Sequence, residues 1–404
     1  MNYLTRAQEL FTTTLSHRRY LHQIPELNLD LPKTTAYITE ELTKMGYKPQ
    51  KCGGGIVATV GKPGGKTVLL RADMDALPMK EESGLSFAST GDCAHTCGHD
   101  IHAAMLLTAA KMLKENEDSL EGMIKLMFQP GEETLMGAKA MLADGLLENP
   151  RPDVALGYHV AGGQVPLGMF FYNGKGTMMN SCDNFKIVIQ GVGTHGAYPN
   201  HGVDPINIAA HIILGLESVV AREIQSTQAS VLTIGKIAAG SAGNIIPDKA
   251  KMYGAIRCDC NEQREFIIKR LNEVAESIAN TYRGSAKVTI TSGTPPLICD
   301  EEAVSTFVGY MRELDVSNQM EDSEMHAASS EDMAVLLSEI PGAYMFLSAG
   351  FTDGRVTYNP HHPKVEFNEE VMKVGPAYLA HCATRWLEEH KSIRIKTKGK
   401  DKQI

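Results

Sequence analysis

The chain has 404 residues, of which 43% are hydrophobic, 22% charged and 6% aromatic. That profile excludes collagen-like, disordered and disulfide-stapled miniprotein classes, and single cores stop growing at roughly 250–300 residues, so two domains are expected. Acidic residues outnumber basic ones, 48 to 39, for a net charge of -9 with the histidines neutral, against the balance a nucleic-acid binder shows.

The chain opens without a basic start followed by an apolar core, so no signal peptide is expected. No uncharged apolar stretch approaches the roughly 18 residues of a membrane span, and no membrane partner is expected either. Eight cysteines lack regular spacing, which fits reduced thiols in a cytoplasmic protein. Apolar periodicity predicts one helix over 4–20, broken by Pro25, and a second over 34–45. Short apolar runs at 55–60 and 67–75 read as strands. A helix over 103–113, a strand over 123–128 and a helix over 138–147 follow. This alternation implies an α/β domain with a mostly parallel central sheet.

Near Ser181 the pattern changes. Strands are predicted at 184–190, 230–237, 249–258 and 286–291, with helices at 205–221 and 262–282. That order, strand-helix-strand-strand-helix-strand, is the order of a ferredoxin-like α+β unit. After Pro295-Pro296 the alternation of helix and strand resumes up to His390. The expected organisation is therefore one α/β domain, residues 1–181 and 293–390, interrupted by an α+β domain at 182–292. Small residues near Ser181 and at Ser292-Gly293 suit hinges between them. Residues 391–404 form a tail with six basic residues against Asp401, read as solvated.

Four polar clusters could carry chemistry. His95, His99 and His102 crowd beside Cys93 and Cys97, and thiolate and imidazole both suit zinc and similar ions. Gly98 would let Cys97 and His99 turn toward one point. Buried thiols and helix-capping histidines are the plainer explanation of the same residues. In Gln129-Pro-Gly-Glu-Glu133, one of two adjacent carboxylates can hold a metal while the other stays free as a base. Alone, such a pair is usually solvated. Gly157-Tyr-His159 ends an apolar run, and His361-His-Pro363 lies in a loop flanked by proline. Ligands of open α/β sheets gather outside the carboxyl ends of the strands, where these clusters fall.

Arg71-Ala-Asp-Met-Asp-Ala-Leu-Pro78, His95-Thr-Cys-Gly-His-Asp-Ile-His102, Gln129-Pro-Gly-Glu-Glu133, Gly157-Tyr-His159, Gly193-Thr-His-Gly-Ala197, Asn244-Ile-Ile-Pro-Asp248, Ser330-Glu-Asp332 and His361-His-Pro363 occur in one order. Together they resemble the N-acyl-amino-acid amidohydrolases of the aminoacylase and carboxypeptidase-type metallopeptidase superfamily. The likeness is strongest to its hippurate hydrolase and indole-acetyl-amino-acid hydrolase branch, and it spans about residues 15 to 390. The resemblance implies a metal-dependent amidase with two divalent ions per subunit, zinc or manganese. Cys97, His99, Glu133, His159 and His361 match its metal ligands, Glu132 its general base, and Asp75 an acidic residue supporting the site from behind. His195 matches an oxyanion-stabilising histidine, supplied in some relatives by the partner subunit. Asn244 and Arg257 match positions that grip substrate. A homodimer through a lid-like inserted domain is implied as well. One departure is Pro199-Asn200-His201, where relatives often carry Pro-His, and it weakens a role for His201. The same residues also fit a deacetylase of a biosynthetic intermediate such as N-acetyl-diaminopimelate, a dipeptidase, or a non-catalytic metal- or ligand-binding relative.

Overall fold

The computed structural model describes residues 1–225, 229–314, 320–322 and 326–391, so most of the basic tail lies outside the described residues. Helices α1 (Tyr3–Glu9) and α2 (Phe11–His22) replace the single predicted helix. The break is at Leu10, with ψ 2°, and no glycine or proline marks it. Next come α3 (Pro32–Lys44), β1 (Gln50–Cys52), β2 (Gly55–Gly61), β3 (Thr67–Asp73), α4 (His99–Glu115) and β4 (Met123–Gln129). The run continues through α5 (Gly137–Ala143), β5 (Val154–Ala161), β6 (Phe170–Tyr172) and β7 (Thr177–Met179). The second stretch holds β8 (Cys182–Gln190), β9 (Thr194–His195), α6 (Pro205–Glu223), β10 (Ser230–Ala239), β11 (Ile245–Ile246), β12 (Lys249–Cys258), α7 (Asn261–Thr281) and β13 (Ser285–Thr294). The chain then adds β14 (Leu297–Ile298), α8 (Glu301–Arg312), β15 (Met320–Asp322), α9 (Met333–Leu337), β16 (Gly342–Ser348) and α10 (Gly375–Glu389).

Eight strands form one large sheet in the order β1-β2-β4-β3-β5-β16-β6-β15. Its centre, β4-β3-β5-β16, is parallel throughout, and antiparallel pairs flank it. Every residue of β3 is buried, as expected of a central parallel strand covered on both faces. Helices α4 and α10 pack on β3 and on each other.

The small sheet, β10-β12-β8-β13, is antiparallel, with α6 and α7 packed on it. Chain order β8-α6-β10-β12-α7-β13 reproduces the predicted ferredoxin-like pattern. Its core, including Phe185, Ile187, Ile212, Met252 and Leu271, forms a cluster separate from the core under the large sheet. By length and composition α6 could cross a membrane, but it buries Ile208, Ile212 and Leu216 in the small sheet's core. Ser292 and Gly293, read in the sequence as loose linker residues, are paired strand residues opposite Asn184 and Asp183. A Cβ on Gly293 would come within 2.2 Å of Asp183 Oδ1, so glycine makes room for that carboxylate.

Candidate metal centre and active site

The polar clusters meet at the carboxyl ends of the parallel strands. Asp75 lies two residues beyond β3, Glu132 and Glu133 follow β4, and His159 sits near the end of β5. Helix α4 begins at His99, four residues before the start that the apolar pattern suggests. Gly98 precedes it with φ +94°, and a Cβ there would lie 2.5 Å from Val160 Cγ2. Only glycine fits both the backbone and the space, and it turns Cys97 and His99 toward the same site. His361 approaches from the loop after β16 with φ 69°, a costly conformation for a non-glycine residue, held by its N–H donating to Thr96 O at 3.0 Å.

Backbone contacts fix which histidine nitrogen is free. His99 Nδ1 donates to Asp75 O at 3.0 Å and His159 Nδ1 to Val160 O at 2.7 Å, leaving each Nε2 lone pair directed into the site. His159 Nε2 is 3.2 Å from Cys97 Sγ, and His361 Nε2 is 3.4 Å from Glu133 Oε1. Asp75 stands behind them, its two oxygens accepting the Glu132 and Glu133 N–H groups at 3.1 Å each. His102 is spent otherwise: Nδ1 donates to Asp73 and Nε2 accepts from Val160 N at 2.8 Å, so neither nitrogen is left for an ion.

The donor set fits divalent cations. Cys97, His99 and His159 bring ligand atoms within 4.8 Å of one another, as do Cys97, Glu133 and His361, and His99, Glu132 and Glu133. His99 Nε2 and Glu133 Oε1 are buried without a hydrogen-bond partner, a cost of about 1–3 kcal/mol each that a cation would remove. Sulfur, nitrogen and oxygen donors together suit zinc or another borderline ion.

Burial and neighbouring charges shift the titration of these groups. Burial, then Glu331, Asp332 and Glu133, push the Glu132 carboxyl well above the carboxylate range. Burial raises the Cys97 thiol too, more than His99 and His361 lower it. Burial opposes ionisation of Glu133, but the nearby His361 and His99 rings outweigh it and hold its pKa down. Contacts with Cys97 and Glu133 lift His361 to about 10.

Two buried networks brace the site, and motif reading assigned neither a role. Arg71 reaches Gln129 Oε1 at 3.0 Å, Asp73 Oδ2 at 2.9 Å and Glu331 Oε1 at 2.7 Å, while Tyr344 Oη donates to Glu331. Arg71 and Glu331 both belong to the sequence motifs, but nothing local ties residues 260 positions apart. On the other side of α4, Asp100 accepts from Arg18 Nε at 3.1 Å and from His22 Nδ1 at 2.8 Å, and His22 Nε2 donates to Glu81 at 3.0 Å.

A cleft of about 400 Å³ opens on Cys97, Glu132, Glu133, His159 and His361, walled by Phe346 and Met179. Arg257 reaches its edge, donating Nη1 to Ser330 Oγ at 2.8 Å, and Ser330 lines the cleft. His195 and Asn244 are not brought there within this chain. They are exposed on the β9/β11 ribbon, which supplies no lining residue.

Residues 69–385 match the profile of peptidase family M20/M25/M40. The chain belongs to that family. This M20 chain is 37% identical over 389 residues to N-acetyl-L-cysteine deacetylase of Bacillus subtilis, covering 94% of this chain and 89% of that protein. It is 33% identical to the IAA-amino acid hydrolase ILR1-like 4 of Arabidopsis thaliana, over 99% and 92% of the two chains. Its fold matches the YXEP protein of Bacillus subtilis, described as a dinuclear metal binding peptidase, with a TM-score of 0.77 and 30% identity over 94% and 99% of the chains. The M20 chain is a metal-dependent amidohydrolase.

Proposed function

We propose that the enzyme hydrolyses N-acyl-amino acids to a carboxylic acid and a free amino acid, using two divalent ions, zinc or manganese, held by Cys97, His99, Glu133, His159 and His361. The observation that carries this reading is the pair of donor sets sharing Cys97 and opening on one cleft, with the Glu132 carboxyl beside them. The names of the bacterial deacetylase and the plant hydrolase point to the same substrate class. When bound, the ions would polarise the amide carbonyl and acidify water. Glu132 takes the proton of the attacking water and hands it to the leaving amine. Asp75 holds the Glu132-Glu133 turn and sets the His99 tautomer. Arg257 and Asn244 receive the substrate's carboxylate or carbonyl oxygen, and His195 stabilises the oxyanion.

Residues 1–181 and 293–390 act in this reading as the catalytic domain, and 182–292 as a lid through which two copies pair. Exposed Val231 and Ile237 on the edge strand β10, and Ile206 and Leu214 on α6, favour pairing there. All eight cysteines are free thiols, which suits the cytoplasm.

The deciding experiment follows amino-acid release from benzoyl-, acetyl- and long-chain acyl-amino acids, with protein loaded in turn with manganese and zinc. Release is expected with at least one ion. Release from acetyl donors alone would narrow the enzyme to a deacetylase, and ligand binding without release under either ion would make it a non-catalytic relative.

A further inference from the structure

The four strands of the small sheet carry six basic residues, Lys186, Lys236, Lys249, Lys251, Arg257 and Lys287, in a chain whose net charge is -9. Their one acidic residue, Asp183, is buried and forked by Arg264 at 2.6 and 2.8 Å. Strand alternation puts the cations on the face away from α6 and α7. Phe185, Ile187 and Ile189, with Ala250, Met252 and Ile256, point into the core, and the cations take intervening positions. Lys186 and Lys236 stand on either side of Tyr253, 5.9 and 5.5 Å from its ring, and Lys251 and Lys287 flank Val188 in the same manner. No acidic residue lies opposite any of them in the sheet.

This face leads to the cleft. Arg257 belongs to it and already touches the cleft-lining Ser330. At about 3.3 Å per residue, Tyr253 and Lys251 lie roughly 13 and 20 Å farther along the strand. Acylation removes an amino acid's ammonium charge, so an N-acyl-amino acid is a net anion, whereas the free amino acid product is a neutral zwitterion.

We infer that the outer face of the small sheet is an electrostatic guide that draws anionic acyl-amino acids to the cleft and leaves the zwitterionic product free to go. The inference rests on the amidase reading above, and it requires efficiency to rise with the substrate's negative charge. It is tested with K249E/K251E/K287E, with K249Q/K251Q/K287Q as the milder variant, on an uncharged acyl-amino acid amide, a monoanionic acyl-amino acid and a dianionic acyl-glutamate. At about 0.01 M ionic strength, where the screening length is about 30 Å, the glutamate variant should lose roughly 3- to 30-fold in kcat/KM on the monoanion. Its kcat should stay within about twofold, because the field acts before chemistry. The loss should be larger on the dianion, smaller for the glutamine variant and absent on the amide. It should vanish near 1 M salt, where screening acts within about 3 Å. An equal loss on the amide, or no loss on either anion while the parent enzyme turns over, overturns the guide. A changed sedimentation coefficient in the variants would assign the face to subunit contact and overturn it too. Failure of the parent enzyme on every acyl-amino acid would instead remove the amidase reading, and the guide with it.

Discussion

Burial and the carboxylates of Glu331, Asp332 and Glu133 push the Glu132 carboxyl well above its usual range, and the Glu132→Gln amide keeps the side chain's size and shape. The variant should therefore keep its metal, measured by elemental analysis, and lose roughly 10²–10⁴ in turnover, because an amide cannot take the water's proton. Loss of metal with activity restored on reloading would mean that Glu132 and Glu133 exchange roles. A second residue reports on the brace behind α4. Burial alone would lower the pKa of His22, but Asp100 and Glu81 raise it to about 9. A raised histidine contributes stability that is fully present below its ordinary pKa of about 6.5 and is lost as pH rises through about 9. The stability gap between the parent and His22→Gln should thus be widest below that ordinary value and shrink toward pH 9, by about 3 kcal/mol at most. Urea unfolding across that range at matched metal content measures it, and parallel curves would show an uncharged His22. Glu81, lowered to about 2 by His22, Ser83 and Ser89 against its burial, adds the opposite limb: its contribution holds at neutral pH and fades as pH falls through about 2.

At the scale of elements, the entry to α4 concentrates the most function in the fewest residues. Gly98→Ala sets a methyl 2.5 Å from Val160 Cγ2 on a left-handed backbone. It should cost about 1–3 kcal/mol of stability and weaken metal binding, because Cys97 and His99 flank the distorted residue. Thermal unfolding with and without metal checks it; an unchanged metal affinity would show that the turn does not aim these ligands. The same element shows what sequence could and could not tell. The convergence of Cys97 with His99, and of Glu132 with Glu133, was legible because polar groups so close in sequence need only one turn to meet. The helix start was not, because His99, Asp100 and His102 face the site and its braces, so the apolar period begins only at Ala103. The division of the first helix at Leu10 escaped because no breaker residue stands there. The Arg71–Glu331 contact depends on β3 and the segment before α9 meeting across the large sheet, which no local pattern encodes.

For the whole molecule, the ribbon that carries His195 supplies no lining residue to the metal cleft of its own chain, and the oxyanion role proposed for it can be tested across subunits. His195→Ala should keep its metal and lose most turnover. Mixing it with Glu132→Gln, each nearly inactive, should restore one working site per heterodimer if the histidine acts on the partner. Confirmed heterodimers without activity would confine it to its own subunit or to no catalytic part. The side-by-side ends of β8 and β13 carry a separate consequence, for the order in which the chain assembles. Neighbouring strands β5 and β16 of the large sheet come from opposite sides of the small one, so pairing them first would close the long loop from Ala161 to Gly342 at an entropic cost of about 5 kcal/mol. The small sheet is contiguous in sequence, and its folding sets Cys182 opposite Thr294. Once it has formed, most of that long loop is already closed, and β16 reaches β5 as if the two halves of the large sheet were joined by a much shorter connection.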